Sequence, residues 1–304
     1  MAKNIFLIFF SLFLGACSQS SNSDQENPIP TSPVPGPGTP PEVPYTSQKV
    51  WGVTLDSITN LGEIITSLQS LNRRATTRIV FDEFVPATYY KNATVQIAAV
   101  SDVMGELLDS FYVKDYSLEQ YKQRTVEYLD TLQDNVDIWE IGNEINGEWL
   151  GDIPSVVAKM TAAYDIVKQS KKTAALTLYY NEDCWKYSSE EMFSWAQNNV
   201  PERMKQGLDY VFISYYEDDC NGLQPNWPEV FEKVGKIFPN SKIGFGEVGT
   251  SAAAKKEAYL KRYYTLEINH PRFVGGYFWW YFKQDMVPNT KPLWSTLNSV
   301  LSGN

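Results

Sequence analysis

The sequence predicts an α/β domain closed into an eight-stranded (β/α)8 barrel, the TIM-barrel architecture. Three observations lead there. The stretch Val136 to Trp149 opens as an apolar, β-branched run and ends in Asn143-Glu144 and a polar, Gly-containing turn. That is the pattern of a buried parallel strand with a polar group at its C-terminal tip. Strand patterns then alternate with helical patterns along the chain, which argues βα units and a parallel sheet. Finally, eight such units with tryptophan-rich strand ends can be counted, in roughly 255 residues of globular sequence, the size of one closed barrel.

In chain order, residues 1–16 carry Lys3 and an apolar run from Ile5 to Leu14, too short to span a membrane and laid out as a secretory signal. Leu14-Gly15-Ala16-Cys17 resembles the bacterial lipobox. The resemblance implies cleavage before Cys17 and lipid attachment to its sulfur. With Ser18 next rather than an aspartate, it further implies sorting to the outer membrane or cell surface. Residues 17–47 are rich in Ser, Asn, Pro and Gly. Such a segment cannot bury a core and reads as a semi-extended tether, so contact with the membrane is expected only through the lipid.

Residues 48–304 supply the barrel. Trp51–Asp56 reads as the first strand, followed by an amphipathic helix from Asn60 to Leu71, and Thr77–Asp82 as the second. The segment 99–108 should hold the third near Val103–Leu107. Ser117 with Gln120 three residues on forms a capping box for a helix to about Leu132. The Val136 stretch is strand four. Pro154 marks a helix start, and that helix runs to about Ser170. Ala174–Tyr180 is strand five and Leu208–Tyr216 strand six, with a helix from Ser189 to about Asn198 between them. Trp227 to Phe238 reads as helix, Lys242–Glu247 as strand seven, Lys255 to Ile268 as helix and Phe273–Tyr281 as strand eight. A helix over Pro292–Leu301 closes the chain.

The chain has 304 residues, 14% aromatic, with a net charge of −10 and a single histidine, His270. The acidic balance excludes a basic nucleic-acid footprint. One histidine leaves little with which to build a zinc site or a serine–histidine triad, so neither metal nor cofactor is expected. A single-domain monomer acting on an uncharged carbohydrate fits these bounds.

A carboxylate at the C-terminal tip of a buried strand is costly unless something uses or pairs it, and in such barrels that rim is where catalytic groups sit. Glu144 follows strand four and Glu247 ends strand seven, so both belong to one rim. Two carboxyl groups about 5 Å apart suit a retaining glycosidase, one protonated as acid and the other ionised as nucleophile. Asn143 beside Glu144 is placed to donate to a sugar 2-hydroxyl.

This ordered set resembles clan A of the glycoside hydrolases, retaining (β/α)8 enzymes. The resemblance implies Glu144 as acid/base and Glu247 as nucleophile. It implies Arg78 on strand two and Tyr216 after strand six as supports of the nucleophile, and Trp280 on strand eight as the floor of the first sugar subsite. Trp279 competes with Trp280, since strand parity does not separate them. Arg78 could equally neutralise Asp82 or Glu83. The chain departs from many clan members in having no histidine on strands three and six; Ser214 stands where one would be. Asn181 after strand five resembles that of some xylanase-like members and joins the substrate-binding candidates. Trp149, Trp185, Trp227, Tyr180 and Tyr187 are candidate stacking platforms.

Cys184 and Cys220 follow neighbouring strands by a few residues each. In an exported protein whose Cys17 is lipidated they form the natural disulfide pair. Two other functions fit the same fold: a non-catalytic glycan-binding barrel, and a metal-dependent barrel lyase or isomerase using the many rim carboxylates.

Overall fold

The structure, a computed structural model, describes residues 49–182 and 184–303. The signal, the lipidated Cys17 and the tether expected over residues 1–47 lie outside the described residues. Eight parallel strands close in chain order into a barrel. They are β1 (Val50–Leu55), β2 (Thr76–Val80), β3 (Asp102–Glu106), β4 (Ile138–Glu140), β5 (Thr173–Tyr179), β6 (Tyr210–Tyr215), β7 (Lys242–Val248) and β8 (Gly275–Trp279).

The outer layer comprises α1 (Leu61–Gln69), α2 (Lys91–Ala98), α3 (Leu118–Leu132), α4 (Ile153–Gln169), α5 (Met192–Asn199), α6 (Glu202–Gly207), α7 (Trp227–Ile237), α8 (Lys256–Tyr264), α9 (Phe282–Met286) and α10 (Pro292–Ser302). Three of these, α2, α6 and α9, have no counterpart in the sequence expectation. They are one or two turns long, too short to show a helical period. α3 begins at the Ser117–Gln120 capping box, with both reciprocal hydrogen bonds formed. α4 begins behind Asp152, whose carboxylate accepts from the Ser155 amide at 3.0 Å. Among the described residues no helix is long and apolar enough to cross a membrane.

Strand alternation sorts the core into two parts. Outward-facing residues such as Ile79, Val103, Trp139, Leu176, Ile213, Phe245 and Trp279 pack against the helices. Inward-facing Val50, Met104, Ile138, Ala175, Phe212, Val274 and Phe278 form a separate apolar plug inside the barrel. One step further toward the strand C-termini the interior turns polar and charged: Arg78, Glu106, Glu140, Thr177 and Glu247, all buried. Barrel interiors are ordinarily filled with branched apolar side chains. Unpaired, each buried ion would cost several kcal/mol, so this layer points to a site directly above it.

β4 is shorter than expected. It ends at Glu140, and Glu144 lies beyond it, in a left-handed conformation with φ 45°. The chain from Ile141 still runs beside β5. Thr177 donates its amide to Gly142 O at 3.0 Å and accepts the Ile145 amide at 3.1 Å. Asn143 and Glu144 therefore both stand opposite Thr177, one residue more than a regular parallel ladder places there, which makes a bulge. A second bulge lies in β7. Between Ile213↔Phe245 and Tyr215↔Val248, β6 advances by two residues and β7 by three. Gly246 and Glu247 consequently both face inward. Gly246 must lack a side chain, because a Cβ there would come within 2.7 Å of Thr177 and 3.2 Å of Phe212.

Candidate active site

Arg78 is the hub. It stands on β2, fully buried, with its guanidinium shared by three carboxylates. Its Nε donates to Glu140 at 2.6 Å, and its terminal nitrogens lie 2.7 Å from Glu247 Oε1 and 3.0 Å from Glu106 Oε2. Only the Glu140 contact has linear hydrogen-bond geometry; the other two are held by charge. Glu106 and Glu140 are direct register partners on adjacent strands, so their carboxyls converge. Thr177 adds a hydroxyl donor to Glu140. The alternative that Arg78 neutralises Asp82 or Glu83 is corrected: its parity sends it inward, and Asp82 accepts instead from the Tyr90 hydroxyl at 2.7 Å.

Glu247 also accepts from the Tyr216 hydroxyl at 2.9 Å. Burial pushes its carboxyl up, while the Arg78 charge and the Tyr216 hydrogen bond act in the opposite direction. Glu144 has weaker support. Ser214 donates to its Oε1 at 2.5 Å and Ser110 to its Oε2 at 3.3 Å. Burial and then the nearby charge of Glu247 push it up to about 8, against the Ser214 hydrogen bond. The two carboxyls thus sense each other, and the environment splits them. Charge settles on Glu247, next to a guanidinium, and the proton on Glu144, next to neutral hydroxyls.

Asn143 is buried beside Glu144, and its side-chain oxygen meets no donor among the described residues. A buried unpaired amide oxygen is rare enough to need a reason, and at this mouth a ligand hydroxyl supplies one. Trp280 lies just past β8 with Arg78 Cζ 5.8 Å from its ring centroid, on the interior side. Trp149 donates its indole N–H to Ser110 Oγ at 2.9 Å and meets Tyr179 edge-on at 5.4 Å. It therefore braces the hydroxyl that touches Glu144.

Four substrate-binding expectations are corrected. Trp279 is 0% exposed, faces the helices and donates to Asp285 at 3.1 Å. Parity could not separate it from Trp280 because Gly275, Gly276 and Tyr277 all have positive φ, which breaks the strand count. Asn181 is buried and spent on backbone, donating to Glu190 O at 2.9 Å and accepting from the Met192 amide at 3.0 Å. Its work is to close the loop after β5, jointly with Asn146, which grips the same Glu190 carbonyl at 3.0 Å. Tyr180 and Trp227 pack on each other in the outer core, ring centroids 5.3 Å apart. Trp185 and Tyr187 remain exposed on the loop after β5. Cys184 and Cys220 are joined by a disulfide, Cα atoms 5.4 Å apart, linking the loops after β5 and β6.

Residues missed in the sequence reading are Ser110, Glu140 and Thr177. For Glu140 a signal existed: an arginine buried inside a barrel requires counter-charges from inward positions of nearby strands, and Glu140 on β4 is the register partner of Glu106 on β3, the strand beside Arg78. Among the described residues no group of three His, Cys, Asp or Glu side chains is arranged to hold a metal ion. Where Glu106, Glu140 and Glu247 converge, Arg78 fills the centre. A concavity of about 1030 Å³ opens at the other end of the barrel, lined by Thr76, Asp102, Asp137 and Lys242 among others. Its acids are already engaged, Asp102 by Arg74 at 2.7 Å and Asp137 by the Val103 amide at 2.8 Å.

The chain is similar in structure to Saccharomyces cerevisiae Gas2p in complex with laminaritriose and laminaritetraose, with a TM-score of 0.54 and 13% identity over 84% of this chain and 64% of that one. Gas2p in complex with laminaripentaose gives 0.55 and 13%, covering 84% and 65%. A Gas2p variant with glutamate replaced by glutamine, in complex with laminaritetraose and laminaripentaose, gives 0.55 and 13%, covering 84% and 63%. The chain thus spans less than two thirds of the length of these structural relatives. No family model and no curated protein sequence matches it. At such identity the likeness establishes the fold, a (β/α)8 barrel.

Proposed function

We propose that the domain is a retaining glycoside hydrolase acting on a β-linked oligo- or polysaccharide by double displacement. The observation that carries this reading is the pair Glu144 and Glu247. They stand on two bulges at one rim, electrostatically coupled, one beside Arg78 and Tyr216 and the other beside two serines. In the first step Glu144 gives its proton to the glycosidic oxygen, the C–O bond breaks, and a Glu247 oxygen bonds the anomeric carbon. In the second, ionised Glu144 takes a proton from water, the water oxygen bonds that carbon, and the ester to Glu247 breaks. One water is consumed and the anomeric configuration is kept. Asn143 offers its unpaired amide oxygen as an acceptor to a sugar hydroxyl, and Trp280 offers a ring face above Arg78.

Laminari-oligosaccharides, bound in the structural relatives, are the first substrates to try. Proton NMR of the nascent product should show the substrate's own anomer first. Glu144→Gln should lower kcat by about a hundredfold or more, and Glu247→Ala should abolish turnover while glycan binding survives. Inverted product, or full activity in both variants, sinks the proposal. Tethering of the enzyme to an outer membrane through lipidated Cys17 belongs to the same proposal and rests on the lipobox-like sequence alone. Metabolic labelling with a radioactive fatty acid, absent in Cys17→Ala, tests it.

A further inference from the structure

The loops after β2 and β3 carry aromatic side chains that the catalytic pair does not use. Phe84 is 65% exposed and Phe111 55% exposed. An exposed phenylalanine alone needs no explanation, but both are held in place, Phe84 at some cost. Phe84 has φ 56°, a left-handed backbone that a bulky residue adopts only under constraint. The constraint is visible: its amide donates to the Tyr116 hydroxyl at 2.6 Å, and its ring lies on Tyr116 at 4.8 Å with a 9° interplanar angle. Tyr116 in turn rests near the guanidinium of Arg124, 5.7 Å from the ring. Arg124 is buried and donates to the carbonyls of Phe81 at 2.8 Å, Asp82 at 2.8 Å and Leu107 at 2.6 Å. It thereby pins both loops to α3.

Phe111 is fixed in the same way. It lies in the short 3-10 segment Ser110–Asp115, whose first turn is capped by Asp109 accepting from the Phe111 amide at 2.8 Å. Lys114 covers one face of its ring at 4.3 Å. Each ring therefore has a partner on one face and solvent beyond. The segment is continuous with the catalytic centre, because Ser110 is the residue that donates to Glu144 and accepts from Trp149.

We infer that Phe84 and Phe111 form a remote sugar subsite, over which a neutral glycan chain extends from the scissile bond across the rim of β2 and β3. This rests on the glycosidase reading above. Rigid aromatic faces beside polar groups are what a pyranose ring stacks on, and preorganisation removes the entropy of fixing them. The surroundings favour an uncharged occupant. Glu83, Asp109 and Asp115 flank the rings on a chain of net charge −10, which disfavours an anionic lipid surface.

The test is binding by the Glu144→Gln protein, with and without Phe84→Ala and Phe111→Ala together, by titration calorimetry against laminaritriose and laminaripentaose. The double substitution should weaken the pentaose by roughly tenfold, the sum of two aromatic contacts, and leave the triose and the thermal midpoint unchanged. Equal weakening for both lengths, no weakening for either, or no binding of either sugar overturns the inference. So does wild-type binding to phosphatidylglycerol vesicles that the double substitution removes. Turnover by the wild type is scored separately. Length-dependent binding without hydrolysis would retain the subsite and reject the glycosidase reading; hydrolysis without length dependence would do the reverse.

Discussion

One guanidinium meets three buried carboxyls at Arg78; with all three ionised the interior would hold two surplus negative charges, which favours a proton on at least one of them. Glu106 is the one: burial raises it well above the ordinary carboxylate range, against the pull of Arg78 and with Glu140 adding to the rise. A neutral acid is close in shape and charge to its amide. Glu106→Gln should therefore keep activity within about twofold, whereas Glu140→Gln removes the charge opposite Arg78 and leaves one oxygen for two donors, Arg78 Nε and the Thr177 hydroxyl, and should destabilise by about 3–5 kcal/mol, the cost of breaking a buried pair. Urea melts of the two variants decide it, and equal losses would refute the assignment. Glu144 follows a different rule. Its folded value of about 8 lies above that of an unfolded glutamate, so the folded state holds the proton more tightly. Its stabilising effect is full below the unfolded value and is lost as pH rises through the folded one. Glu144→Gln should thus melt higher than wild type at pH near 9, with the gap closing by about pH 4. In wild type, kcat/KM should fall with rising pH near the same value of about 8, as the acid loses its proton. Removing the Ser214 hydroxyl with Ser214→Ala should move that limb upward, because Ser214 donates to the ionised form.

At the scale of elements, the eight strands were legible because parallel strands buried on both faces read as continuous apolar runs. The placement of the acids on one rim was legible from strand order alone. Their approach to each other was not. Glu144 and Glu247 both reach the interior by bulges, opposite Thr177 and between Phe245 and Val248. A bulge has no apolar period to reveal it. Counting from inward Gly244, a regular β7 would aim residue 246 inward and 247 at the helices. The run of positive φ from Gly275 to Tyr277 hid the facing of Trp280 for the same reason. Gly246 is the hinge of the β7 bulge. Gly246→Ala places a methyl into Thr177 and Phe212, and the strand can relieve that only by shifting Glu247 off Arg78. We expect a loss of at least about tenfold in kcat at a stability cost of roughly 1–3 kcal/mol, the range for overpacking. Wild-type kcat in a folded Gly246→Ala protein would show that the bulge does not depend on glycine.

For the molecule as a whole, the division of labour follows the barrel axis. An apolar plug closes the interior, a charged layer rests on it, and the loops above carry the polar and aromatic groups of the mouth. Those loops are held by side chains the sequence reading did not single out or gave another role: Arg124 under the β2 and β3 loops, and Asn146 and Asn181 between the loops after β4 and β5. Arg124 and Asn146 work on backbone carbonyls 17 to 44 residues away, and Asn181 on the backbone of its own loop 9 and 11 residues on, so neither composition nor periodicity marks them. The Cys184–Cys220 bond adds the covalent link between the loops after β5 and β6, across a sequence separation of 36 residues. In the chain-entropy account a loop of that length contributes about 4 kcal/mol by restricting the unfolded chain. For a domain of this size that corresponds to a thermal midpoint roughly 10 °C higher. The bond also fixes the position of Trp185, exposed beside Cys184. Replacing both cysteines by serine should lower the midpoint by about that amount and raise KM more than it lowers kcat, because Glu144 and Glu247 are held by Ser214, Ser110 and Arg78, with Tyr216 at the base of the loop after β6, rather than by the parts of the loops that carry the cysteines. A variant that loses kcat at unchanged KM would place the disulfide under the catalytic carboxyls instead of under the substrate.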